Sequence, residues 1–360
     1  MSITPPDPTP SDDLLDPPET HDFVESMRAQ YTAAEIRGFV GRLSPLRVLA
    51  LGEAILDEYV YCDALGKSGK EPILAMRYLS REMYAGGILA IANHLAEFCG
   101  RVDLLTYLGT KRPHEEFVRE RLKPNVAPRF VYKPDSPTIV KRRYVESYSL
   151  AKLFGVYRID DEPITGAEED RLCEELDSLL GEVDVVIVAD YGHGLITSRM
   201  VDLLIERSPF LAVNTQINAA NIGFHTISKY RRADYVCIQE GEVRHDSRSR
   251  DGDVRKLVAA LAQRLSCRSC MTTRGKYGSL LYRPGEGFFE CPAFAVRIVD
   301  RIGAGDALLA LTSLCETSGL PAEITGFLGN LAGAEAVATV GNKASVDRRR
   351  LLGRVDRLLG

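Results

Sequence analysis

No apolar run in this 360-residue chain approaches the roughly 20 residues needed to cross a bilayer, so neither a membrane span nor an anchor is expected. Positive charge is not in excess either. With 45 Lys and Arg against 50 Asp and Glu the net charge is −5, whereas a duplex binder draws its nonspecific affinity from Lys and Arg that neutralise phosphates. Nucleic acid is therefore not an expected partner. No secretory leader is recognised, and the eight cysteines are scattered, which reads as reduced thiols in a cytoplasmic protein. Cys267 and Cys270 form the only close pair; without a second pair or a histidine at ligand spacing they read as small apolar residues of a strand. The six histidines make no zinc pattern. Internal repeats are absent.

What is present is the composition of a globular protein, 45% hydrophobic and 26% charged, with enough chain for one large α/β domain or two ordinary ones. Residues 1–22 carry Pro5, Pro6, Pro8, Pro10, Pro17 and Pro18 among acids and threonines, and are expected to be a disordered leader. Over 23–44, Phe23, Met27, Tyr31, Ile36, Phe39, Val40 and Leu43 recur at mostly helical spacing. That predicts one or two amphipathic helices packed on the main domain, 45–360, or on a second subunit. Beyond Pro45, short apolar runs at 48–51, 103–108, 183–189, 211–214, 235–238 and 269–273 alternate with helical patterns at 87–98, 167–180, 198–207, 254–265, 304–317 and 322–339. This is the signature of a three-layer α/β fold, a mostly parallel sheet with helices on both faces. Two stretches, about 59–80 and 138–159, alternate at period two instead. They predict a small lid of inserted strands over the carboxyl edge of the sheet, where such folds bind ligands.

The most informative segment runs Val296-Arg-Ile-Val-Asp-Arg-Ile-Gly303-Ala304-Gly305-Asp306-Ala: a short apolar run, a glycine turn, then a helical pattern. The glycines let backbone approach a ligand, and the first N–H groups of the helix suit a phosphate or oxyanion. Asp306 would repel such an anion unless it has a task, such as taking the proton of an attacking hydroxyl; the alternative is a capping Asp at a plain turn. A P-loop does not fit, because Gly66-Lys67-Ser68 has Tyr61 where the first glycine belongs. A dinucleotide fingerprint fails too, since Leu308 stands where its last glycine is needed.

Several motifs, in order, resemble those of the ribokinase-like (PfkB) carbohydrate kinases over roughly residues 48–346. They are Gly52-Glu-Ala-Ile-Leu-Asp57, the pair Gly86-Gly87 opening a helix, Thr273-Arg-Gly275-Lys-Tyr-Gly278, and Asp300-Arg-Ile-Gly303-Ala-Gly-Asp306. The resemblance implies that Asp306 is the general base, that Gly303, Ala304 and Gly305 form the anion hole, and that Asp57, Gly86 and Gly87 hold sugar hydroxyls. It places Asn214, Glu240, Thr273, Gly275, Gly278 and Asn330 on the nucleotide side, with Gly341 near Asn330, and implies Mg²⁺-ATP as phosphoryl donor. Within the family the chain most resembles the kinase half of bacterial heptose-phosphate kinases, through Thr138-Ile-Val-Lys141-Arg142-Arg143, Arg158-Ile-Asp160 and Ala189-Asp190-Tyr191-Gly192-His193-Gly194. That implies phosphorylation of C1 of a heptose 7-phosphate, with Lys141, Arg143, Arg158 and Asp190 on the substrate; charge-assisted contacts hold phosphate well. On a strand Lys141 and Arg143 share a face that Arg142 does not.

This chain has His193 where the heptose kinases have Lys, and Ala90 where their glycine pair leads to Asn. A kinase for an unphosphorylated pentose, hexose or nucleoside, or a regulator that binds without turnover, therefore stays open. Glu240 or Glu242 is expected either to orient magnesium through water or to be a helix-start acid. The polar run Asn214-Thr215-Gln216 to Asn221 is expected to read sugar or ribose hydroxyls, or to be a plain loop. Lid strands of this family often pair between subunits, which implies a homodimer.

Overall fold

The structure, a computed structural model, describes residues 16–219 and 221–360. Most of the expected leader, residues 1–15, lies outside the described residues. Its last part does not: Pro18–Thr20 form a 3₁₀ turn with Thr20 buried, and the first helix already begins at His21.

Among the described residues thirteen strands follow in chain order: β1 (Arg47–Gly52), β2 (Ala54–Lys67), β3 (Leu74–Gly87), β4 (Arg101–Lys111), β5 (Val126–Pro137), β6 (Ile139–Glu146), β7 (Lys152–Arg158), β8 (Val185–Asp190), β9 (Leu211–Thr215), β10 (Tyr235–Gln239), β11 (Ser269–Thr273), β12 (Ser279–Arg283) and β13 (Gly287–Cys291). The helices are α1 (His21–Gln30), α2 (Ala33–Gly41), α3 (Ile88–Leu95), α4 (Glu115–Arg121), α5 (Ala167–Leu180), α6 (Ser198–Arg207), α7 (Glu240–Asp246), α8 (Val254–Arg264), α9 (Ala304–Thr317), α10 (Ala322–Val337) and α11 (Arg348–Leu359).

Nine strands form one sheet in the order β13-β12-β11-β10-β9-β8-β1-β4-β5, parallel from β11 to β5 and antiparallel at β12 and β13. Its centre is apolar on both faces: Val48, Leu49, Ala50 and Leu51 of β1 are fully buried between β4 and β8. A sheet covered on both faces requires this continuous rather than alternating pattern, and each such Val or Leu contributes ~1.5–3 kcal/mol on burial. The chain order reverses beside β1, with β4 on one side and β8 on the other, so a crevice opens at their carboxyl ends.

The lid is a separate sheet, β3-β2-β6-β7. Its strands β2 and β6 run parallel in a register that sets Asp57 beside Lys141 and Tyr59 beside Arg143. α1 and α2 pack on the chain's own domain. Thr32 and Glu35 form a reciprocal capping box at the start of α2, Phe23 lies 6.1 Å from the rings of both Phe294 and Phe327, and Arg28 Nε donates to the Leu358 carbonyl at 2.6 Å. Among the described residues no helix is long and apolar enough to cross a membrane.

Candidate active site

Three local devices build one cavity at the switch point. The first is the turn before α9. Gly303 has φ +88°, a conformation L side chains resist, and a Cβ there would stand 2.3 Å from Asn342 Oδ1; glycine is what lets the turn close. The turn presents the N-terminus of the 14-residue α9, with Asp306 in its first turn. The second is the pair Gly86-Gly87 at the end of β3, where a Cβ on Gly86 would meet Asp57 Oδ2 at 2.1 Å and one on Gly87, at φ +57°, would meet the Glu53 carbonyl at 2.6 Å. The third is the parallel pairing of β2 with β6, which turns Asp57, Lys141 and Arg143 to the same side.

The resulting cavity of about 230 Å³ is lined by Asp57, Gly87, Lys141, Arg143, Gly303, Gly305 and Asp306, together with Ile55, Tyr191, Gln216, Arg301, Ile302 and Asn342. Two carboxylates thus face three cations. Arg143 is paired with Asp57 Oδ1, and Asn342 Nδ2 donates to Asp57 Oδ2 at 3.1 Å. Lys141 is buried, with its ammonium 5.7 Å from the Tyr191 ring centroid. Burial pushes its pKa down against the upward pull of Asp57. Tyr191 donates its hydroxyl to Asp306 Oδ1 at 2.9 Å. Burial raises the Asp306 carboxyl to about 6, Asp57 adding to the rise while the Tyr191 hydrogen bond and Lys141 oppose it. A carboxylate poised near neutrality beside a helix N-terminus can accept a proton while backbone amides hold an anion.

Behind this wall, Asp300 fastens the lid to the turn. It accepts from Tyr59 OH at 2.7 Å, from the Gly341 N–H at 3.1 Å and from the Ile302 N–H at 3.1 Å, and pairs with Lys152 of β7. Burial alone would raise its pKa, but Lys152 and Tyr59 more than offset that and hold it low.

The structure brings together Asp57, Gly86, Gly87, Lys141, Arg143, Gly303, Ala304, Gly305 and Asp306. It does not bring Arg158 or Asp190 to the cavity. Arg158 stands opposite Val140, on the lid face that carries Glu58 and Arg142. Asp190 is buried and its carboxylate is used internally: Lys229 Nζ at 2.8 Å, Tyr230 OH at 2.9 Å and the Gly192 N–H at 3.1 Å all donate to it. His193 is buried too, with Nδ1 2.6 Å from Asp161 Oδ1.

The residues expected on the nucleotide side lie outside the cavity lining. Glu240, Thr273, Gly275 and Gly278 lie at and just beyond the carboxyl ends of β10 and β11, Glu240 opening α7 and Thr273 ending β11, tied by Arg274 Nε to Glu240 Oε2 at 3.1 Å. Asn214 donates to the Cys237 carbonyl at 2.7 Å, and Asn330 to Ser279 Oγ at 2.7 Å and the Gly326 carbonyl at 2.8 Å, so both amides serve the fold. Gly341 is likewise bound to Asp300.

For magnesium the donor set does not fit. Glu240 pairs with Arg244 and Arg274. Glu242 caps α7 and accepts the Ile217 N–H at 3.0 Å. No cluster of metal-ligating side chains exists among the described residues.

Sequence reasoning missed Asn342, Arg301 and the hydroxyl of Tyr191. No local signal marks Asn342 or the Tyr191 hydroxyl, whose partners Asp57 and Asp306 lie far along the chain.

The model of the pfkB family carbohydrate kinases matches residues 46–349. Among curated proteins, the "Bifunctional protein HldE" of Koribacter versatilis is 28% identical over 309 residues, covering 85% of this chain and 62% of that protein. The protein of the same name from Methylococcus capsulatus is 28% identical over 311 residues, covering 85% and 63%. The chain thus spans less than two thirds of the length of these relatives. Among solved structures, ribokinase from Arabidopsis thaliana complexed with ribose and ATP superposes with a TM-score of 0.64 at 18% identity, covering 87% of this chain and 99% of that one. Ribokinase from Giardia lamblia superposes with a TM-score of 0.67 at 18% identity, covering 88% and 100%. At such identities the likeness is one of fold, and it is the three-layer α/β ribokinase-like fold expected from the sequence. With its family matched across most of its length, the chain belongs to the pfkB family of carbohydrate kinases, phosphotransferases whose acceptor is an alcohol group.

Proposed function

We propose that this kinase transfers the γ-phosphoryl group of ATP to C1 of a heptose 7-phosphate. The observation that carries the reading is the shared cavity wall: Asp306 at the N-terminus of α9 and Asp57 beside Gly86 line one space. Asp57 has lone pairs left for acceptor hydroxyls after accepting from Arg143 and Asn342. Asp306 takes the proton of the attacking hydroxyl as its oxygen bonds to phosphorus. The bond from phosphorus to the departing ADP oxygen breaks as the N–H groups of Gly303, Ala304 and Gly305 neutralise the charge that develops. Magnesium would arrive on the triphosphate and shield its charge. The lid excludes water, which would otherwise turn transfer into hydrolysis.

Three cations against two carboxylates favour an anionic acceptor, and of the two cations on β6 Lys141 is the one not ion-paired with Asp57. A second reading, a kinase for an unphosphorylated sugar or nucleoside, is favoured by the pairing of Arg143 with Asp57, which leaves less positive charge for a phosphate. Initial rates on heptose 7-phosphate and on the free heptose, for the wild type and Lys141→Met, decide between them. The first reading expects a strong preference for the phosphorylated sugar that falls by about 10- to 100-fold in the variant, the range of one charged contact. Equal rates on both sugars would reject it.

The exposed Leu74, Tyr78, Leu79, Phe154, Val156 and Tyr157 of the lid strands support a homodimer formed through this sheet. Sedimentation of the wild type and of Phe154→Asp tests it, the variant being expected to sediment as a monomer.

A further inference from the structure

We infer that Tyr191 is the positioning residue of the base: its phenol holds one oxygen of Asp306 and leaves the other for the acceptor alcohol. This rests on the reading of Asp306 as general base.

Tyr191 lies in the turn after β8, and its backbone is clamped on both sides. Its N–H donates to Glu53 Oε2 at 3.0 Å, and the His193 N–H donates to Glu53 Oε1 at 3.0 Å, so one buried carboxylate spans the turn. Its carbonyl accepts from Asn218 Nδ2 at 2.9 Å and Asn221 Nδ2 at 3.1 Å. Between these anchors Gly192, at φ +69°, passes so close to Asn221 that a Cβ would stand 2.5 Å from its Nδ2. A side chain carried on such a frame has little freedom, and its ring is also only 3% exposed. The hydroxyl ends 2.9 Å from Asp306 Oδ1, while Asp306 Oδ2 has no hydrogen bond among the described residues and its residue lines the cavity.

The hydrogen bond also sets the charge of the base. Burial and the nearby Asp306 raise the Tyr191 phenol well above its ordinary range, so it remains a donor at every working pH. A fixed donor favours the ionised carboxylate. The other groups facing Asp306 are Asp57 on β2, Lys141 and Arg143 on β6, Arg301 on the same turn, and the Cys237 thiol on β10. Asp57 opposes ionisation and Lys141 favours it.

The test is the pH dependence of kcat for Tyr191→Phe and for the enzyme with 2,3-difluorotyrosine at position 191, a stronger donor of nearly the same shape. Tyr191→Phe is expected to move the acid limb up by about one pH unit. At pH 6, with the wild-type carboxyl near 6, this lowers kcat about fivefold, with KM for ATP unchanged. The fluorinated enzyme is expected to move the limb down. An acid limb that stays put in the fluorinated enzyme overturns the inference, even if Tyr191→Phe proves too unstable to assay. Asp306→Asn separates this from the reading beneath it. If that variant turns over normally, the assignment of the base fails. If it is inactive while both Tyr191 enzymes titrate like the wild type, only the role of Tyr191 fails.

Discussion

Replacing Gly86 by Ala probes the acceptor end of the cavity with a single methyl group. The new Cβ would stand 2.1 Å from Asp57 Oδ2 and 2.9 Å from its Cγ, well inside van der Waals contact. The carboxylate has nowhere easy to go, being 3% exposed, paired with Arg143 through Oδ1 and held by Asn342 Nδ2 at 3.1 Å. Gly86 does not occupy the left-handed region, so the substitution adds no backbone strain and its effect is steric. A carboxylate displaced by about an ångström loses its alignment with an acceptor hydroxyl, and a hydrogen bond to a charged group contributes ~1.5–3 kcal/mol. That predicts a loss in kcat/KM for the acceptor of about 10- to 150-fold, with binding of a non-hydrolysable ATP analogue unchanged, because the glycine turn at 303–305 is untouched. Steady-state kinetics in both substrates, with calorimetry for the nucleotide, measure this. Asp57→Ala alone and combined with Gly86→Ala supplies the control: an effect that passes through Asp57 cannot be lost twice. An unchanged acceptor kcat/KM in Gly86→Ala, or strict additivity in the double variant, would refute the reasoning.

Two further perturbations follow from the same geometry. The Asp306 carboxyl, raised from 3.8 to about 6, is expected to give a kcat/KM that is low below pH 6 and level above it. Because its folded pKa lies above the unfolded one, ionisation costs stability at neutral pH; Asp306→Asn is expected to be inactive yet more stable above pH 6, by at most ~3 kcal/mol, and no more stable than the wild type near pH 4, as read by urea unfolding at both pH values. Asp300→Ala leaves the Tyr59 hydroxyl and the Gly341 and Ile302 N–H groups without their acceptor. A loss of ~2–5 kcal/mol in unfolding free energy together with a raised KM for the acceptor is expected, and a variant of unchanged stability would show that the lid is fastened elsewhere.

How much of this was legible in the chain depended on whether the signal was local. β1, β8 and β10 announce themselves because a strand buried on both faces is a short unbroken apolar run. β5 escaped notice because Pro128, Pro134 and Pro137 interrupt it; prolines are tolerable there since it is the last strand of the sheet. β12 and β13 are five residues each around Pro284-Gly285, too short for periodicity to register. α11 hides Leu351, Val355 and Leu358 among arginines. In the site, Gly303 and the Gly86-Gly87 pair were readable because close approach demands glycine at the position itself. Asn342 was not, since what matters is its bond to Asp57, 285 positions away. Asp190 misled for the converse reason. A polar residue at the carboxyl end of a core strand looks like a ligand-binding group whether or not Lys229, Tyr230 and Gly192 have already claimed it.

The charges around the cavity are arranged against stability. Burial pushes Glu53 up to about 7, with Asp190 adding to the rise, pushes Asp306 up to about 6, and pulls Lys141 down; apolar side chains of similar volume would spare the fold that cost. Such groups gather where chemistry needs them near neutrality. On the proposed reading they also explain why acceptor and base act together. Lys141 draws Asp306 toward the ionised form, and an acceptor phosphate beside Lys141 would pull the ammonium toward itself and away from Asp306. The base then loses part of the pull that kept its proton affinity low, and it gains basicity when an acceptor is bound rather than before. A free sugar brings no such charge, so the acid limb of kcat should lie higher with the phosphorylated acceptor than with the unphosphorylated one, and Lys141→Met should narrow the gap between the two limbs. Identical limbs for both acceptors in the wild type would mean that Lys141 does not couple acceptor charge to the base, whatever else it binds.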